Sequence, residues 1–325
     1  MKTESSAKIP ENPCIKPWYR IVESDGATVL QYGSHALRFQ GAGIKVLFPL
    51  LVPLLDGTRP RAEILAMFEP KAGEAVTKAL TLLAENELLL EGRMTGELPR
   101  QVSETLQFAT ANAFFPTASA ISGEELLAAE IVLIGTGDTA KAVRREFMLA
   151  GLRCDCAEVE EVVARKILNP HLLAVVAPSL AEMPDTDRIN RRLYDENVPW
   201  LYVSPHNGHF SAVGPLFIPR ETGCFHCFLL RQSVNQPFSG EFMKLANSPA
   251  GFPQPSFVTN LSASIAATFV IQWLLMRNIK VAGQFYHIEY KGGLKVGSSH
   301  FHKVPRCPVC SRVSAYATPS LWAES

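Results

Sequence analysis

The sequence predicts an α/β protein in which a small winged helix-turn-helix element precedes a doubly wound sheet. Two observations support this prediction: a strand pattern that changes to a helix pattern near the N-terminus, and alternating strand and helix signals after residue 122. The chain has 325 residues, 47% of them hydrophobic, which is more than one domain usually holds. We therefore expect a recognition element over residues 1–95, a linker with one or two helical turns over 96–121, and a sheet domain over 122–325.

The charge balance gives no reason to expect an anionic surface as partner. Basic and acidic side chains number 31 each, so we expect neither nucleic acid nor a membrane. The first residues contain no apolar export segment, which predicts a cytoplasmic location. The most apolar stretch, residues 263–276, is shorter than the roughly 20 residues that span a bilayer, and it indicates a buried helix.

The N-terminal part begins with strands and continues with helices. Residues 18–41 hold three short runs rich in branched and aromatic side chains, separated by turn sequences, which predicts an antiparallel meander. Apolar residues then recur every three or four positions between 43 and 92, which predicts three helices. The segment "ELLLEG", residues 87–92, is a candidate closing strand.

This winged helix-turn-helix pattern commonly binds DNA, but residues 1–95 carry eleven basic and eleven acidic side chains, without the basic excess that phosphates attract. The same scaffold can bind an extended peptide as a further strand beside an edge strand and a helix. Here the candidate edge is "HALRFQG", residues 35–41, and the candidate wall is the helix over 72–85. A packing domain without a ligand remains the alternative. The candidate peptide-binding residues are Leu37, Arg38, Phe39, Gln40, Thr77, Leu80 and Leu83.

A glycine loop, "GTGDTA" at residues 135–140, follows a predicted strand and precedes a helix. Gly135 and Gly137 fit the G-x-G-x-x-A pattern of Rossmann-type nucleotide loops, and Asp155 lies where a ribose-binding acid would be. However, Asp138 places a negative charge at the mouth of the loop, and no compact set of basic residues follows it. A tight strand-to-helix turn is the preferred interpretation over a nucleotide site, and ATP is not expected as a cofactor.

Four cysteines form two Cys-x-x-Cys pairs, Cys224 with Cys227 and Cys307 with Cys310. Each pair can place two sulfurs on one ion, and two pairs complete the tetrahedral set that holds structural Zn²⁺. Because four protein ligands leave no open position, such a site is structural, and no catalytic residue is assigned. A redox dithiol is the alternative, but the presence of two pairs argues against it.

Residues 198–231 resemble the ubiquitin-activating-enzyme-like, or ThiF-type, adenylating proteins, and the resemblance extends over about 123–315. Three departures matter: Asp138 lies in the loop, the long segment after the second strand that carries the family's Arg and Lys is largely absent, and Ala177 and Pro178 occupy the place of a family acid. The resemblance therefore implies the fold and the zinc knuckle without ATP-dependent adenylation. The matching residues are Gly214, Pro215, Pro219, Thr222 and the four cysteines.

With its N-terminal part included, the chain resembles the leader-peptide-binding, ThiF-like partner proteins of azole and azoline pathways. Residues 37–65 are similar to their recognition element, which takes the leader of a ribosomally made precursor as an added strand. The resemblance implies a non-catalytic scaffold that presents Cys, Ser and Thr residues to a separate YcaO-type cyclodehydratase in antibiotic or bacteriocin biosynthesis. Proteins with related folds often form dimers, so the resemblance also allows a homodimer. The alternative is a stand-alone ThiF-type adenylating enzyme that acts on a peptide.

Overall fold

The computed structural model describes residues 9–24, 27–92, 98–112, 123–169, 172–246, 248–276 and 278–311. The chain divides into two compact units, Met1–Glu124 and Glu125–Ser325, which we call the N-terminal and C-terminal units.

The N-terminal unit contains the predicted meander and the three predicted helices. Strands β2, β3 and β4 form a three-stranded antiparallel sheet in that order, so β4 is an edge strand that pairs only with β3 among the described residues. The candidate closing strand forms as well, but it pairs with a short strand, β1, that was not predicted. The elements are β1 (Pro13–Ile15), β2 (Arg20–Ser24), β3 (Ala27–Tyr32), β4 (His35–Gln40), α1 (Ala42–Leu51) with a 3-10 turn over Val52–Leu54, α2 (Arg61–Ala66), α3 (Gly73–Glu85) and β5 (Leu89–Glu91).

The core of this unit lies between the meander and the helices. Phe39 of β4 packs against Phe48 of α1, with ring centroids 5.3 Å apart. On α3, residues at helical spacing supply the other side of the core, and Leu80 and Leu83 are completely buried. The edge strand and α3 are therefore fixed by one shared apolar cluster.

The predicted linker contains a longer helix than expected, α4 (Arg100–Asn112), with 13 residues rather than one or two turns. Val102, Leu106 and Ala109 recur at helical spacing and are buried, which explains why the helix forms. Polar residues at the intervening positions masked this periodicity in the sequence. Residues 96, 97 and 113–121 of the predicted linker lie outside the described part of the chain.

The C-terminal unit is built on a seven-stranded sheet in the order β12-β11-β10-β9-β8-β6-β7. Strands β7, β6, β8 and β9 are parallel, as the alternating pattern predicts, and β10, β11 and β12 add an antiparallel extension that was not predicted. The strands are β6 (Ile131–Ile134), β7 (Cys154–Cys156), β8 (Leu173–Val176), β9 (Trp200–Val203), β10 (Phe210–Phe217), β11 (Gln284–Glu289) and β12 (Lys295–His300).

Helices cover both faces of the parallel part. One face contacts α7, α8 and α9 through a cluster around Trp200 and Phe225, and α6 packs along α11. The chain reverses its direction across the sheet between β6 and β8, and open α/β sheets bind ligands at such a switch point. The helices are α5 (Gly123–Ala128), α6 (Asp138–Leu149), α7 (Val159–Leu168), α8 (Thr186–Asp195), α9 (Phe225–Val234), α10 (Ser239–Ala246) and α11 (Ser256–Leu274).

Helix α11 is the one described helix that is long and apolar enough to cross a membrane by length and composition. Half of its most apolar window is buried inside the structure. Its buried residues include Ala263, Ala266 and Val270, in the stretch that was expected to form a buried helix. The core helix of a globular unit passes the same length and composition test.

Candidate functional site

The four predicted cysteines come together in one buried cluster. Their Sγ atoms all lie within 4.8 Å of one another, and the four residues are at most 4% exposed. Neighbouring Sγ atoms are 3.9 Å (Cys224 and Cys227), 3.7 Å (Cys224 and Cys307) and 3.3 Å (Cys227 and Cys310) apart. Tetrahedral zinc with Zn–S bonds of about 2.3 Å requires about 3.8 Å between sulfurs. The donor set and its spacing therefore fit a metal ion of this kind.

The first cysteine pair is held by a turn and a helix start. The Thr222 hydroxyl accepts the backbone N–H of Ile218 at 2.9 Å and closes the turn before Cys224. Helix α9 then begins at Phe225, whose N–H donates to Asn190 Oδ1 of α8 at 3.0 Å. These two hydrogen bonds position Cys224 and Cys227 from the turn and from α8.

The second pair belongs to the C-terminal segment after β12, which approaches the first pair closely. A Cβ atom on Gly223 would lie 2.6 Å from the Phe301 ring, so only glycine fits there. Phe301 packs edge-on against Phe228, with ring centroids 5.7 Å apart. The Val304 N–H donates to Cys227 Sγ at 3.4 Å, an arrangement that favours a thiolate at this sulfur.

This cluster can bind an ion but offers no reactive centre. Burial raises the pKa of the Cys310 thiol, so this sulfur becomes a thiolate only where a cation compensates its charge. With all four positions of a tetrahedral ion taken by sulfur, neither water nor substrate has a place on it. The arrangement joins the C-terminal segment to α9.

The glycine loop lies at the carboxyl end of β6, beside the switch point of the sheet. Gly135 has φ of +135°, and a Cβ atom there would lie 2.1 Å from Ala177 O. Gly137 is the N-cap of α6, and a Cβ atom there would lie 2.7 Å from Ser179 Cβ. Both glycines are thus required by the close approach of the segment after β8. The carboxylate of Glu182, a residue that the sequence analysis did not single out, also reaches this loop.

A groove of about 740 Å³ lies on the N-terminal unit, next to the point where β4 leads into α1. Val46 and Leu50 of α1 line it and are 69% and 59% exposed, although both are apolar. Lys78 is the one charged side chain among its described lining residues. On the opposite wall, α3 presents Ala75, Lys78, Ala79 and Leu82, and Ala72 lies directly before this helix.

The predicted peptide-binding residues divide into exposed and buried groups. On β4, Arg38 and Gln40 are exposed and Leu37 is half-buried, whereas Phe39 points into the core. Leu80 and Leu83 have no exposed surface, so they support α3 from behind and are not available for direct contact with a ligand. Thr77 is exposed, but it lies roughly 140–160° around the helix axis from Leu82 and Ala75. The sequence analysis missed the groove face of α3 because small and charged residues occupy it.

No family model matches the chain, and no curated protein matches it. Solved structures do. The heterocyclase TruD superposes with a TM-score of 0.68 at 21% identity, over 93% of this chain and 43% of TruD. A heterocyclase in complex with substrate and cofactor superposes with a TM-score of 0.65 at 20% identity, over 92% of this chain and 39% of that chain. MccB from E. coli superposes with a TM-score of 0.55 at 15% identity, over 93% of this chain and 97% of MccB.

These similarities show that the chain shares the α/β fold of TruD and MccB. The chain spans less than half the length of the two heterocyclase chains and nearly the whole length of MccB. MccB has also been solved together with AMPCPP and MccA.

Proposed function

We propose that this chain is a ThiF-like protein of ribosomal-peptide modification that binds the leader of a precursor peptide. In this proposal it is a non-catalytic scaffold, and it presents the Cys, Ser and Thr residues of the core peptide to a YcaO-type cyclodehydratase for azoline formation. The observation that carries the proposal is an edge strand, β4, that is followed directly by an exposed apolar groove between α1 and α3.

The edge strand and the groove supply two complementary modes of peptide recognition. An edge strand offers backbone N–H and C=O groups to an extended peptide whatever its sequence. The groove adds selectivity, since Val46, Leu50 and Leu82 favour apolar side chains. A winged helix-turn-helix element of this kind, neutral in charge, suits a peptide better than a nucleic acid.

Leader binding would raise the effective concentration of the core peptide at the partner's active site without any chemistry in this chain. The chain spans 43% of the TruD heterocyclase. We propose that a YcaO-type protein acts on the core peptide that this chain presents. The same proposal places the chain in the cytoplasm and assigns a structural Zn²⁺ to its four cysteines. It also allows the chain to form a homodimer.

The decisive experiment measures binding of the full chain to a fluorescein-labelled leader of the precursor peptide encoded next to its gene. Fluorescence anisotropy should give a Kd in the micromolar range or below. Leu82→Glu should weaken binding tenfold or more, because an apolar side-chain contact is worth about 1.5–3 kcal/mol. Thr77→Glu, on the other side of α3, is the matched control with the same added charge.

Three outcomes distinguish the possible sites. Loss of affinity in Leu82→Glu alone supports the groove, whereas loss in Thr77→Glu alone moves the peptide site to the other side of α3. If the unmodified chain binds no leader at protein concentrations about 100-fold above the expected micromolar Kd, leader binding is contradicted. Addition of the YcaO-type protein and ATP should then produce peptide that has lost one water per azoline ring.

A stand-alone ThiF-type adenylating enzyme acting on a peptide is the second candidate. The match to nearly the whole length of MccB, which has been solved with AMPCPP and MccA, favours it. Peptide-dependent exchange of labelled pyrophosphate into ATP by this chain alone would support adenylation and contradict the scaffold role.

A further inference from the structure

The glycine loop after β6 already holds an anion of the chain itself. The Glu182 carboxylate accepts the Thr136 hydroxyl at 2.6 Å and the Thr136 N–H at 3.4 Å. It also accepts the Ser179 N–H at 2.7 Å, and the Ser179 hydroxyl in turn accepts the Glu182 N–H at 3.3 Å. One carboxylate thus joins the loops that follow β6 and β8, the two strands at the switch point.

These donors are the kind that a nucleotide phosphate uses in related sheets. Backbone N–H groups at the start of a helix point outward, and the helix dipole favours negative charge there. Thr136 lies in the loop that leads directly into α6, a helix of 12 residues. The carboxylate therefore has the charge and the hydrogen-bonding capacity that the loop requires.

The surroundings of the loop keep the carboxylate in place. The segment from Ala177 to Ser179 packs so closely on Gly135 and Gly137 that neither glycine could carry a side chain. This segment also leads into the turn that carries Glu182. Burial alone would raise the pKa of the Glu182 carboxyl, but hydrogen bonds from Thr136 and Ser179 outweigh it and hold that pKa below its usual range.

We propose that Glu182 is a built-in anion that satisfies the glycine loop and excludes the phosphates of a nucleotide from it. A phosphate at this position would have to displace the carboxylate and would otherwise meet it as a like charge. The loop then serves to join two strand ends, and the C-terminal unit keeps its fold without nucleotide. The inference does not depend on leader binding, because no residue of the N-terminal unit takes part in it.

The test uses the full chain and inorganic pyrophosphate, at constant ionic strength, with thermal unfolding and calorimetry as readouts. Glu182→Ala should lower the midpoint of unfolding, and pyrophosphate should restore part of the loss. The Glu182→Ala variant should also bind pyrophosphate at least tenfold more tightly than the unmodified chain does. Glu241→Ala, which removes an exposed acid of α10, is the matched control and should gain no affinity.

The proposal fails if the unmodified chain binds pyrophosphate as tightly as Glu182→Ala does, or if folded Glu182→Ala gains no affinity. If Glu182→Ala does not fold, Glu182→Gln decides the matter, since it keeps one acceptor oxygen and removes the charge. Pyrophosphate must then stabilise Glu182→Gln more than the unmodified chain, and equal stabilisation overturns the proposal. These outcomes are independent of the leader-binding assay, so failure of one proposal is distinguishable from failure of the other.

Discussion

Replacement of Cys307 and Cys310 by serine tests whether the cysteine cluster joins the C-terminal segment to α9. Cys224 and Cys307 are 83 residues apart in sequence and 3.7 Å apart at their Sγ atoms. A cross-link that closes a loop of this length lowers the entropy of the unfolded chain and stabilises the fold by about 4.5 kcal/mol on the chain-entropy estimate. The contacts of Phe301 remain in the variant, so the segment does not depend on the ion alone.

The assay combines metal analysis with urea unfolding of the C-terminal unit. The unmodified chain should carry one zinc per molecule, and the double variant should carry none and lose about 4 kcal/mol of unfolding free energy. Cys156→Ser is the matched control, because Cys156 is exposed and lies outside the cluster. A chain purified without metal, or a double variant within about 0.5 kcal/mol of the unmodified chain, would refute the reasoning.

Three further predictions concern packing and protonation. Leu80→Ala should cost about 2–5 kcal/mol of unfolding free energy in urea titrations, because the side chain is completely buried; a loss below about 1 kcal/mol would contradict its place in the core. Gly137→Ala should cost about 1–3 kcal/mol through its contact with Ser179, whereas Gly240→Ala, with open space around it, should be neutral or stabilising in the same thermal unfolding. The stability that the Glu182 carboxylate supplies is present above the pKa of Glu182 in the unfolded chain and disappears as pH falls through its lower pKa in the folded chain. The difference in unfolding free energy between the unmodified chain and Glu182→Gln should therefore shrink below about pH 4. A difference that stays constant with pH would contradict this role of Glu182.

Much of the fold follows from local patterns in the sequence. The parallel strands of the C-terminal unit are short apolar runs that alternate with helices, and the meander has clear turn sequences between its strands. Strand β10 escaped prediction because Gly214 and Pro215 interrupt it, and both residue types normally weaken strands. Strand β11 is largely half-buried and β12 is largely exposed, so neither has a strong apolar signal in the sequence.

The site residues were predictable to different degrees, for physical reasons. Metal ligands have a strict spacing within each pair, so Cys224 and Cys310 could be assigned to one cluster from the sequence alone. Helical periodicity identifies the apolar face of α3, but that face, which includes Leu80, belongs to the core, so the periodicity alone does not identify the side that a ligand can contact. Glu182 meets Thr136 across 46 residues, and no local pattern encodes such a contact.

The sequence separation within the cysteine cluster also sets an order of events during synthesis. Cys224 is translated 83 residues before Cys307, which at 5–20 residues per second corresponds to a delay of roughly 4–17 s. During this interval the start of α9 displays two thiols without their partners, while the strands β11 and β12 are still being made. Closure of the cluster is therefore a late step, and it can mark the moment when the whole C-terminal unit has emerged and taken its place.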